Sequence, residues 1–170
     1  MGGTGGVIRE LIGLRGYGRT CLLPNGKPKY RFIGFFDNDE AGRQAVRSTK
    51  WLDTSILEYK DTFRLHPIMP LPGNLDPGAV QKAFEEQNGS FKGLNWEMED
   101  LISPDFFEAF LSENPGALRK SIPVGGKVHR ELTPDGKARF HRFVKLNAVR
   151  TDLAEVVSLL RVLRSYMGLK

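Results

Sequence analysis

A single cysteine, Cys21, leaves this 170-residue chain no internal disulfide and no basis for a thiolate-rich zinc centre. Its three histidines, His66, His129 and His141, are scattered, with none of the spacings that metal ligands adopt. No apolar run approaches the roughly 18 residues of a membrane-spanning helix, so no membrane partner is expected. The opening MGGTGGVIRELIG lacks the charged-then-apolar order of a secretory leader, which makes the cytoplasm the expected compartment. Repeats and low-complexity tracts are missing too. What is present is 40% hydrophobic and 26% charged, an ordinary balance for a chain that can bury a core without staples.

The charge is unevenly placed. Residues 84–113 carry eight acids against one base, Lys92, whereas residues 116–150 carry nine bases against two acids. Two solvated faces that attract one another would explain this. So would a basic surface for a phosphate backbone beside an acidic pocket for divalent cations.

Local patterns suggest the elements. Gly2, Gly3, Gly5 and Gly6 read as a loop feeding a short helix over 7–14, ended by Gly16 and Gly18. Pro24-Asn25-Gly26 suggests a hairpin between 20–23, where Cys21 would be a core residue, and 29–36. Phe32 to Phe36 is apolar without alternation, as in a strand covered on both faces, and a helix over 40–50 follows. A further strand is expected over 63–69, with helices over 78–87 and 104–113. Thr133-Pro134-Asp135-Gly136 reads as the turn of a second hairpin, 127–132 with 138–146, which would set His129 and His141 face to face. Leu153, Val156, Val157, Leu160 and Leu163 mark an amphipathic C-terminal helix.

The densest chemical signal is Phe35-Phe36-Asp37-Asn38-Asp39-Glu40-Ala41-Gly42-Arg43. Carboxylates two residues apart at a strand end leave the chain in the same direction and repel, unless a cation sits between them. Mg²⁺ or Mn²⁺ suits such hard oxygen donors. Asp and Asn after a strand also serve as turn and helix-cap residues. Downstream, Asn95-Trp96-Glu97-Met98-Glu99-Asp100 offers three more carboxylates, or else an acid-rich helix start favoured by the macrodipole.

The first of these strings resembles the Asp-x-Asp motif of Toprim domains, the catalytic fold of bacterial primases, topoisomerases and OLD-type nucleases. The second resembles the acidic segment of OLD-like members. The resemblance implies an α/β fold with a Toprim/Rossmann-like, mainly parallel central sheet flanked by helices, to which the second hairpin and the C-terminal helix are added. Residues 1–113 would form the core and 114–170 the addition. It implies Asp37, Asp39 and Glu97 as catalytic residues and Asp37, Asp39, Glu97, Glu99 and Asp100 as ligands of Mg²⁺ or Mn²⁺, with Gly42 allowing close packing at the helix start. The activity implied is that of a metal-dependent endonuclease acting on nucleic acid, DNA in the first instance, in DNA processing or anti-phage defence. Lys127, Arg130, Lys137, Arg139, Arg142 and Lys145 of the expected hairpin would hold the phosphate backbone.

The family's opening strand, which ends in Glu-Gly, has no counterpart before Gly2, and Glu10 lies in the expected helix. A preceding segment or a partner subunit would have to supply that glutamate. The alternative is a catalytically degenerate module that binds nucleic acid or a partner subunit, and nucleotide polymerisation of the primase kind shares the same acidic geometry.

Overall fold

The computed structural model describes residues 3–71 and 73–169. Gly2, within the expected glycine loop, lies outside them. Helix α1, Thr4–Thr20, begins inside that run and passes through Gly16 and Gly18, the two glycines expected to end it. An isolated helical glycine costs only about 1 kcal/mol, and Gly18 has a packing reason. A Cβ there would stand 3.3 Å from the Phe32 ring. Cys21 is the half-buried C-cap of this helix, not a strand residue.

The expected first hairpin shrinks to one isolated bridge, Leu22 with Pro28. Strand β1, Gly34–Phe36, instead pairs in parallel with β2, Thr62–Arg64, in the register Gly34↔Thr62, Phe35↔Phe63 and Phe36↔Arg64. Parallel neighbours need a long crossover, and helix α2, Glu40–Leu52, supplies it. Strand β2 stops at Arg64, short of the expected Met69 and of Pro67, which has no amide hydrogen to pair. This two-stranded parallel sheet and one antiparallel hairpin are the only sheets among the described residues, which are 53% helical. The fold is mixed α/β, and a broad parallel central sheet is not among its features.

Helices α3, Pro77–Gln87, and α4, Pro104–Glu113, lie where the pattern sets them, each entered through a side-chain cap and a proline in its first turn. The second hairpin is displaced by a whole element. It joins β3, Leu118–Val124, to β4, Lys127–Leu132, through Gly125 and Gly126, both at positive φ. Positive φ at both turn residues suits the twist of a two-residue hairpin. Thr133-Pro134 is a helix start: the Thr133 hydroxyl accepts from Gly136 N at 3.0 Å and opens α5, Pro134–Asn147. Phe140, Phe143 and Val144 then recur at helical spacing and pack on Phe106, Phe107 and Phe110 of α4.

Helix α6, Ala154–Tyr166, closes the fold. Tyr166 stacks on Phe63 at 4.4 Å between ring centres, and its hydroxyl donates to Pro70 O at 2.6 Å. Leu159 packs with Leu65, Trp96 and Leu101. The end of the chain thus completes the core around β2. Among the described residues, no helix is long and apolar enough to cross a membrane.

Candidate active site

The two acidic motifs meet through backbone. Asn38 N donates to Trp96 O at 2.8 Å, forming an antiparallel bridge just beyond the end of β1. Met98 N then donates to Asp37 Oδ1 at 3.1 Å. A segment some 60 residues downstream is thereby laid against the strand end. Trp96, 1% exposed, anchors it in the core, while Trp51 stands in solvent.

Asp37 is held there against its own chemistry. Burial, followed by the charges of Glu99, Glu97 and Asp39, pushes its carboxyl from the ordinary 3.8 up to about 6. The Met98 amide opposes this, as does the charge of Lys137. Asp39 faces the same cluster but spends one oxygen on local structure, since Oδ1 caps α2 by accepting from Gly42 N at 2.7 Å. Gly42 is required by this approach. A Cβ on it would fall 1.9 Å from Asp37 O.

Glu97 is the N-cap of 3₁₀ helix Met98–Leu101 and Glu99 lies within it, and both are buried. Lys137, in the first turn of α5, places its Nζ 2.6 Å from Glu97 Oε2. The contact is a close ion pair. Burial raises the Glu97 pKa in spite of this pair, with Glu99 and Asp100 adding to the rise. Burial pulls the Lys137 ammonium down, and Glu97, Glu99 and Asp37 together more than reverse it, so its pKa is raised. His141, one turn along the same helix face, stands 3.8 Å from Glu99 Oε1.

Asp100 does different work. Its Oδ2 accepts from Glu97 N at 2.9 Å and meets His129 Nδ1 at 2.8 Å, while Oδ1 accepts from Arg130 N at 2.8 Å. Both oxygens are committed to pinning the 3₁₀ turn on β4. His129 therefore bonds Asp100 rather than facing His141. The Asp100 bond raises its pKa against the opposing pull of burial.

The six expected phosphate-binding residues do not share a hairpin face. Lys127 and Arg130 lie on β4, and the other four on α5. Lys127 pairs with Glu155 at 2.8 Å, and Arg139 with Asp135 at 2.7 Å. Arg130 is buried, its guanidinium 4.7 Å from the Phe107 ring centre. Lys137 belongs to the acidic cluster. Arg142 and Lys145 remain exposed.

Two residues without an expected role prove central. Arg43 Nη1 donates to Asn38 O at 2.8 Å, and Arg64 Nη1 to Asn38 Oδ1 at 2.7 Å. Between them they fix the turn that carries both aspartates. Arg43 was visible as the last residue of the Ala-Gly-Arg string, but Arg64 carries no sequence signal.

The donors gathered here are hard carboxylate oxygens, the chemistry a divalent cation takes, with Glu97 Oε2 already facing the Lys137 ammonium at 2.6 Å. Their arrangement is not closed. Among the described residues, no group of three or more His, Cys, Asp or Glu side chains is set to hold a metal ion. Local partners explain this: Lys137 draws Glu97, Gly42 N draws Asp39, and Asp100 is fully engaged. Compared with known proteins, the chain matches no family model, no curated protein and no solved structure.

Proposed function

We propose that this chain is a metal-dependent nuclease module that hydrolyses phosphodiester bonds in nucleic acid. The observation that carries the reading is the Asn38–Trp96 bridge, which sets Asp37 against Glu97 and Glu99 and leaves its carboxyl raised to about 6. A folded chain keeps a destabilised acid of this kind chiefly where chemistry needs it. Asp37, Glu97 and Glu99, with the second oxygen of Asp39, would hold Mg²⁺ or Mn²⁺. Bound there, such an ion polarises a phosphate and acidifies a water.

The chain's own residues position the rest. Arg43 and Arg64 hold the Asn38 turn. Arg142 and Lys145, exposed on α5, face solvent where flanking phosphates would pass. The opening-strand glutamate of Toprim domains would come from a preceding segment or a partner subunit.

A second reading is favoured by one contact. The Lys137 ammonium already neutralises Glu97, as expected of a degenerate module that binds nucleic acid without cutting it. The deciding assay is cleavage of plasmid and single-stranded DNA by the full chain with Mn²⁺, beside the Asp37→Ala variant. Cleavage by the parent and none by a folded Asp37→Ala supports the nuclease. Equal cleavage by both rejects the site, and binding without cleavage by the parent selects the degenerate module.

A further inference from the structure

On the other side of the Asn38 turn lies a cavity of about 350 Å³. Arg43, Arg64 and Lys92 line it; Arg43 also meets Glu40 at 3.2 Å and Arg64 meets Glu58 at 2.6 Å, while the lining acid, Glu85, accepts from Gln81 Nε2 at 2.7 Å. Its apolar wall is the half-buried Tyr59 ring, backed by the buried ring of Phe84 at 5.2 Å between centres. Tyr59 sits at φ 65. That left-handed backbone is rare for a bulky residue and persists only where surrounding structure imposes it.

His66 supplies the polar clue. Its ring meets the edge of Phe84 at 5.0 Å, and its Nε2 is buried without a hydrogen-bond partner. Burial, with Arg64 adding to it, lowers its pKa to about 4, so the imidazole is neutral at physiological pH. A neutral ring offers a donor on one nitrogen and an acceptor on the other. Buried polar atoms without partners are few in folded proteins, and each calls for an explanation. A ligand edge is one.

We infer that this cavity binds a single nucleotide unit, with the base against Tyr59, the base edge toward His66, and the phosphate toward Lys92, beside the ion-paired Arg43 and Arg64. A volume near the lower end of small-molecule sites admits one base and sugar and excludes a duplex. Stacking on aromatic rings beside cationic groups is how unpaired bases are held. The choice of ligand rests on the nucleic-acid reading above. The cavity and its lining do not require the metal.

The test is calorimetric titration of the full chain, in chelator, with deoxynucleoside monophosphates, deoxynucleosides and inorganic phosphate. The monophosphates should bind at least about tenfold more tightly than either fragment, a difference of about 1.4 kcal/mol. Lys92→Glu, at an exposed position, should weaken them severalfold. His66→Phe should weaken monophosphates and leave phosphate unchanged. Monophosphate binding no better than phosphate, or unaffected by Lys92→Glu, overturns the inference even if His66→Phe fails to fold. Short single strands that displace the monophosphate identify a strand as the ligand, and strands that do not displace it identify a free nucleotide. Asp37→Asn should leave the titration unchanged while removing Mn²⁺-dependent cleavage, so each reading can fail without the other.

Discussion

Replacing Asp37 with asparagine should make the protein more stable at neutral pH while removing its response to divalent metal. The raised carboxyl, about 6 against an ordinary 3.8, means the fold prefers the protonated acid. A shift of roughly two units is worth at most about 3 kcal/mol when the group is ionised. The side chain is only partly buried, so screening leaves about 1–2 kcal/mol. For a chain of this size that corresponds to a Tm gain of roughly 3–6 °C. Asparagine keeps a carbonyl for the Met98 amide and carries no charge. The sign fixes the pH window. The penalty on the parent is complete above about 6, shrinks as pH falls toward 3.8, and is absent below it. Melting curves of parent and variant in chelator at pH 7.5, 5 and 3.5 would show the gain and its disappearance. Added Mn²⁺ should raise the parent's Tm by mass action and leave the variant unmoved. No gain at pH 7.5, or a gain that persists at pH 3.5, would refute the claim that Asp37 is held against repulsion and burial.

Lys137→Met removes the cation paired with Glu97, a pair between the exposed and buried extremes, and should cost about 1–2 kcal/mol without metal. The same variant should bind Mn²⁺ about tenfold more tightly by calorimetry, since no tethered ammonium competes. Unchanged or weaker binding would count against a shared site. Gly42→Ala forces a methyl against Asp37 O and should lower stability by about 1–3 kcal/mol or more, read as a denaturant midpoint. A midpoint equal to the parent's would mean the turn is not tightly packed. The His129–Asp100 pair contributes fully below the ordinary histidine pKa of 6.5 and fades as pH rises through the raised folded value. His129→Gln should therefore flatten the decline in urea midpoint between pH 6 and pH 9, and an undiminished decline would move that titration to another group.

Local chemistry fixed much of this protein before any folding was considered. Asp39 as a helix cap and the ranges of α2, α3 and α4 follow from residue type and spacing, because caps, prolines and apolar periods act within a few residues; the close approach at Gly42 was implied by the family resemblance. The misread element shows the limit of such signals. Thr133-Pro134-Asp135-Gly136 serves a turn or a helix start equally well, and the packing of Phe140 and Phe143 on α4 decides it. What joined residues 37–39 to 96–98 was a single backbone bridge, which no local pattern encodes. The partners of the carboxylates were likewise decided in three dimensions. Lys137 reaches Glu97 only because α5 turns back over the 3₁₀ segment, and Asp100 goes to His129 because β4 runs beside it. Sequence set which charges exist; tertiary structure chose which of them face one another, since Coulomb energy depends on distance and burial, and neither is written along the chain.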